Sequence, residues 1–169
     1  LLHLCRRLFD RRVLTVVMFH RVLPLSSDAY RHAEQEYVVG IDSFDRCLDF
    51  FGRNYSVVSL ADVERAAAGV ETLPAHPLLI SFDDGWRDNI VHAEPILKRH
   101  RMKAALFVNV DAVNQTGARW WQDALVEVIA HDPAAAVAAG LPVDLYQAIR
   151  VLLDCPLAAR LPQLAPGLR

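Results

Sequence analysis

The sequence predicts an α/β domain built on a parallel sheet or barrel, and three features carry that reading. Between Val13 and Val110, short apolar and β-branched runs alternate with stretches of helical period, the pattern of strands joined by crossover helices. Leu78, Leu79 and Ile80 form an apolar run bounded by punctuating residues, which suits a strand buried on both faces. That run stops at Asp83 and Asp84, followed by Gly85, so two carboxylates stand at the carboxyl end of a strand, where α/β folds place their chemistry. A length of 169 residues is that of one domain. With 53% hydrophobic and 22% charged residues, a sizeable core is possible and disorder is not expected.

Taken in order, Val13 to Phe19 reads as a first buried strand. Leu23 to Glu36, with Pro24, Ser26, Ser27 and Asp28, reads as a loop, and Tyr37 to Val39 as a short strand. Asp42 is expected to cap a helix reaching Arg53, because Phe44, Cys47, Leu48 and Phe51 fall at i, i+3, i+4 and i+7. Ser56 to Val58 is a short strand. Ser59 caps the next helix, with Asp62 at the third position and Gly69 past its end. After a linker from Glu71 to His76 comes the central strand, then a helix from Asp88 to His100 that Pro95 should kink or restart. Lys103 to Val110 is the next strand. From Trp120 onward the pattern is helical. Trp120, Trp121, Leu125, Val128 and Ile129 make one stripe, Asp132 and Pro133 start a helix ending at Gly140, and Pro142 starts a third carrying Leu145, Ile149, Leu152 and Leu153. The stretch from Pro156 holds three prolines and should be loosely held.

Several function classes find no support. A net charge of −2 offers no electrostatic footprint for nucleic acid or an anionic membrane, and the one basic cluster, Arg6, Arg7, Arg11 and Arg12, is short. Three widely spaced cysteines, Cys5, Cys47 and Cys155, give neither a disulfide framework nor zinc-ligand spacing. Cys47 falls on the apolar face of its helix and reads as core. No apolar stretch is long enough to cross a membrane or to act as a signal peptide. The chain begins with Leu1, so its localisation stays open.

Adjacent carboxylates repel when both are ionised, so a cation or a shared proton is expected between Asp83 and Asp84. The segment Ser81-Phe82-Asp83-Asp84-Gly85 resembles the Thr/Ser-Phe-Asp-Asp-Gly signature of polysaccharide deacetylases with the NodB homology domain, carbohydrate esterase family 4. Upstream, Val17-Met18-Phe19-His20-Arg21-Val22 is similar to that family's Met-Tyr-His-Arg-Val segment. Downstream, Pro95-Ile96-Leu97-Lys98 and Ala104-Ala105-Leu106-Phe107-Val108 resemble its next helix and strand. Three matches in order over residues 13 to 110 make the resemblance specific.

That resemblance implies a partial distorted (β/α) barrel, with residues 12–111 as the β/α core, a helical insertion after about residue 118 spanning 119–161, and a tail at 162–169. Trp120-Trp121-Gln122-Asp123 resembles the start of such an insertion in some members, although the two tryptophans read better as core of the inserted helices than as a sugar platform. The implied reaction is metal-dependent N-deacetylation of an acetylated polysaccharide or amino sugar. Asp83 would be the general base, and Asp84 a ligand of a divalent metal, zinc by family habit. The family completes its metal site with a His-Ser/Thr-x-x-His segment, and this sequence has none: its seven histidines include no pair four apart. The resemblance therefore implies that the histidine pair lies beyond Arg169, that the chain is an amino-terminal portion, and that it is not an active deacetylase by itself. Near the signature, His20 ends the first strand and is expected on the same rim as the acids, although a core histidine is an equal reading. Trp86 and Asn89 are candidates for substrate contact or support of the turn. Arg87 and Asp88 read as a surface pair or a helix cap. Two rival readings are a degenerate, non-catalytic barrel binding glycan or a partner, and an acid pair holding magnesium for phosphoryl transfer. The second lacks a Gly-rich loop or basic clamp.

Overall fold

The computed structural model describes residues 13–110, 121–142 and 144. Contacts divide the chain into two compact units, Leu1–Leu25 with Tyr37–Asn114, and Ser26–Glu36 with Gln115–Arg169.

The first unit is organised on a parallel sheet. Its centre is the strand Pro77–Phe82, all six residues of which are buried. The strand β1 (Thr15–Phe19) runs parallel along its whole length, from Thr15 opposite Leu78 to Phe19 opposite Phe82. A three-residue strand, Ser56–Val58, pairs with its first half, and Ala105–Leu106 pairs with Ser81 and Phe82. Numbered in chain order these are β4, β5 (the central strand) and β6. Between β1 and β4, β2 (Arg21–Leu23) and β3 (Val38–Gly40) form a second, two-stranded parallel sheet. The continuous apolar run thus occupies the doubly covered position that its composition requires. Alternation along β5 sends Leu78, Ile80 and Phe82 into one cluster and Leu79 into another.

The helix Ile41–Asn54 (α2, following a short helix described below) lays Phe44, Leu48 and Phe51 on the first cluster, with Cys47 packed beside them. Fully burying a side chain such as Phe44 or Leu48 contributes about 1.5–3 kcal/mol. The helix Leu60–Ala67 (α3) starts with a complete capping box. Ser59 N–H donates to Asp62 Oδ2 at 2.8 Å, Asp62 N–H donates to Ser59 Oγ at 3.3 Å, and Gly69 follows at φ +72°. After β5 the chain makes a π-helical turn, Asn89–Ala93, and then the helix α4 (Glu94–His100). Pro95 lies in the first turn of α4, so the restart expected there occurs through a wide turn that tolerates its missing N–H. Ile96 and Leu97 reach the main cluster, and His100 Nε2 meets Asp45 Oδ1 at 2.5 Å, tying α4 to α2.

Five readings need correction. The helix α2 begins directly from β3, so Gly40 is its cap and makes no side-chain bond. Asp42 sits in the first turn, where its charge favours the helix dipole instead. The segment read as a loop contains α1 (Asp28–Arg31), capped by Ser27, and β2 precedes it. The short strand read at Tyr37–Val39 is shifted, since Tyr37 closes a 3₁₀ turn and the strand is Val38–Gly40. The strand expected over 103–110 is only Ala105–Leu106. Phe107 N–H still donates to Phe82 O at 2.8 Å, but β5 ends at Phe82 and leaves nothing further to pair. Finally, β1 is buried on one face only: Val17 and Phe19 join the core, while Val16 and Met18 are 55% and 54% exposed.

In the second unit, α5 (Trp121–His131) and α6 (Pro133–Ala138) follow each other closely. Asp132 caps α6 by accepting from Ala135 N–H at 3.0 Å, and Gly140 at φ +74° lies past its end. Leu125, Val128, Ala136 and Leu141 are buried. The helix read from Pro142, the tail, Trp120, the Trp121 side chain, the basic cluster, Cys5 and Cys155 lie outside the described residues. Among the described residues no closed barrel is formed, and no helix is long and apolar enough to cross a membrane.

Candidate active site

The acid pair emerges where β5 ends. Asp83 N–H donates to Phe19 O at 3.0 Å, so the first acid still belongs to the register between β1 and β5. The chain then reverses through two successive left-handed residues, Asp84 and Gly85, both at φ +72°. Aspartate adopts this conformation more readily than most residues, yet such a position costs of order 1–3 kcal/mol and persists only where its surroundings impose it. A Cβ added to Gly85 would lie 2.9 Å from Val108 Cγ1, so the segment after β6 packs directly on the turn. Both acids are half-buried, neither sealed in the core nor free in solvent.

The return limb of the turn is held by residues that sequence reasoning undervalued. Asp88 and Arg87 are not a surface pair. Arg87 is exposed, while Asp88 is buried and makes no cap bond. Its Oδ2 accepts from Arg21 Nε at 2.9 Å, and its Oδ1 accepts from Val22 N–H at 3.0 Å. The two side chains are 12% and 7% exposed, so this is a buried ion pair. The Arg21 guanidinium carbon also lies 3.9 Å from the Trp86 ring centroid, a cation–π contact. No local pattern links residues 66 apart, so the pair could not have been found from spacing.

His20 directly follows Phe19, the last residue of β1. Its ring packs edge-on against Tyr37, with centroids 4.8 Å apart. Asn89 closes the turn through its backbone, donating to Trp86 O at 3.0 Å. Its side-chain amide is buried, and neither Nδ2 nor Oδ1 has a hydrogen-bond partner among the described residues. Beside it lies a cavity of about 260 Å³, lined by Phe82, Leu97, Met102 and Leu106 together with Asn89. Among the described residues no group of three His, Cys, Asp or Glu is arranged to hold a metal ion. Asp84 is the one residue there that the resemblance offers as a ligand, which is short of the three or four protein ligands zinc takes.

Parallel strands and crossover helices define an α/β protein with a carboxylate pair at the carboxyl end of its central strand. Residues 71–137, which include the acid turn, match the family model described as polysaccharide deacetylase. Over residues 71–137 the chain is similar to the polysaccharide deacetylase family. No curated protein matches the sequence. Among solved structures, the deacetylase PplD of Streptococcus pyogenes, in complex with acetate, is 23% identical over 66% of this chain and 50% of that one, with a TM-score of 0.51, a likeness of fold. IcaB from Ammonifex degensii is 31% identical over 68% of this chain and 48% of that one, with a TM-score of 0.48. A de-N-acetylase from Aggregatibacter actinomycetemcomitans is 24% identical over 55% of this chain and 36% of that one, also with a TM-score of 0.48. The chain spans 50%, 48% and 36% of the lengths of these three structures, in that order.

Proposed function

We propose that this chain carries the acid-bearing part of a de-N-acetylase acting on an acetylated polysaccharide or amino sugar, within a distorted (β/α) barrel whose helical insertion begins near residue 118. The observation that carries the reading is the half-buried acid pair at the end of a fully buried central strand, inside the segment that matches the family. Asp83 is the general base. Water attacks the acetamide carbonyl carbon, Asp83 accepts the water proton, the carbon–nitrogen bond breaks, and the nitrogen takes up a proton to leave as the sugar amine beside acetate. Asp84 is the proposed ligand of the divalent metal that the family uses. The described residues do not complete a site for it, so no step is derived through that ion. His20, Trp86 and Asn89 are proposed as substrate-contacting or supporting groups on the same rim.

The test is acetate release from an N-acetylglucosamine oligomer, measured on the natural gene product and on the 169-residue chain, each beside Asp83→Asn. The natural product should lose about 10²–10⁴ of its rate in that variant, the range for a general base. The chain alone should turn over poorly, because Asp84 is a single ligand. Turnover that survives Asp83→Asn would refute the role given to Asp83. No acetate release from the natural product would refute the deacetylase reading.

A further inference from the structure

We infer that Asp88 is a positioning residue, which sets the acid turn against the β1–β2 connection through Arg21. Its importance for catalysis rests on the reading of Asp83 as the base, but the placement stands on geometry alone. The turn is fastened at both ends to one short segment, Phe19 to Val22. At the entrance, Asp83 N–H bonds Phe19 O at 3.0 Å. At the exit, one carboxylate spans two donors of that segment, the Arg21 Nε at 2.9 Å and the Val22 N–H at 3.0 Å. Arg21 is itself laid over Trp86, the residue after Gly85, at 3.9 Å.

Phe19, Arg21 and Val22 on one side, and the ends and middle of the turn on the other, are therefore joined by three hydrogen bonds and one ring contact. His20, the remaining residue of the segment, packs its ring against Tyr37 instead. Charge-assisted bonds in a site this dry are strong and directional. The left-handed conformation at Asp84 needs such enforcement from outside, since its own preference opposes it.

The pair is tested without reference to activity, so its failure and that of the deacetylase reading are distinguishable. Asp88→Asn keeps the volume and an oxygen for Val22 N–H but removes the charge facing Arg21. Hydrogen exchange is followed at the Asp83 and Asn89 amides, and at the Leu79 and Ile80 amides inside β5 as a reference for global opening. The 19F line of Trp86 is followed in protein labelled with 5-fluorotryptophan, assigned with Trp86→Phe. Asp83 and Asn89 should lose about tenfold more protection than Leu79 and Ile80, the loss expected from one charge-assisted bond in a local opening. The Trp86 line should move with them. Arg21→Lys, which keeps the charge but not the planar stacking group, should show the same local pattern and serves if Asp88→Asn does not fold. Equal loss at all four amides, or none at Asp83, would overturn the inference and leave the pair a general stabiliser.

Discussion

Asp88 and Val22, separated by 66 positions in sequence, share a 3.0 Å hydrogen bond in which a buried carboxylate accepts from a main-chain N–H at the start of β2. The same carboxylate pairs with Arg21, so the two bonds bind the acid-bearing turn to β2.

Truncating Arg21 to alanine would leave Asp88 charged, buried and half-satisfied. Breaking one side of a buried pair costs about 3–5 kcal/mol. Urea unfolding of Arg21→Ala should show a loss in that range. A loss below about 1 kcal/mol, the value of an exposed pair, would mean that solvent reaches Asp88.

Gly85→Ala should destabilise through two separate causes, the φ of +72° and the 2.9 Å approach to Val108 Cγ1. The conformational part is about 1–2 kcal/mol. The contact part should be recovered in the double variant with Val108→Ala, compared in a double-mutant cycle. A cycle without coupling would show that the turn and the segment after β6 move independently.

The pH dependence of stability should carry a signature of Asp45. Hydrogen bonds from His100 and then Arg99 hold its carboxyl below the ordinary value of 3.8. A depressed folded value means that the unfolded chain binds the proton more readily. The contribution is therefore present above 3.8 and is lost as pH falls below 3.8 towards the lowered value. In Asp45→Asn, melting temperatures measured down this range should decline less steeply than in the parent protein. An unchanged acid slope would refute the assignment.

Asn89→Leu should be neutral or stabilising by about 1 kcal/mol, because it removes two buried polar atoms that have no partner among the described residues and places apolar surface beside the adjacent cavity. A loss above about 1 kcal/mol in urea unfolding would show that the amide is satisfied after all.

The sequence made the central strand, the acid turn, the two capped helices and the restart at Pro95 legible because each is written locally. An apolar run, a Ser-x-x-Asp box or a proline in the first turn acts within a few residues of itself. Burial of β1 on one face, and the shortness of β6, were not legible. Both depend on what stands beside the strand, and Val16, Met18 and Phe107 have strand-like side chains whether or not a neighbour arrives. Asp88 was misread for a related reason. Next to Arg87 it looks like half of a surface pair, while its actual partners, Arg21 and Val22, lie on β2, a strand the sequence did not announce. The packing of His20 on Tyr37 could not be read from the sequence either, because it joins residues from two separate segments.

The wide turn at Asn89–Ala93 carries one residue more than a regular helical turn. One residue corresponds to about 100° of rotation about a helix axis. The extra residue is thus a phase shift between two functions of one helical stretch: upstream it delivers the limb bearing Asp88, downstream it delivers Ile96 and Leu97 to the core. Shortening the stretch by one residue would leave either face intact on its own but make the two incompatible. Length, more than composition, is the quantity that evolution or an engineer must hold constant here.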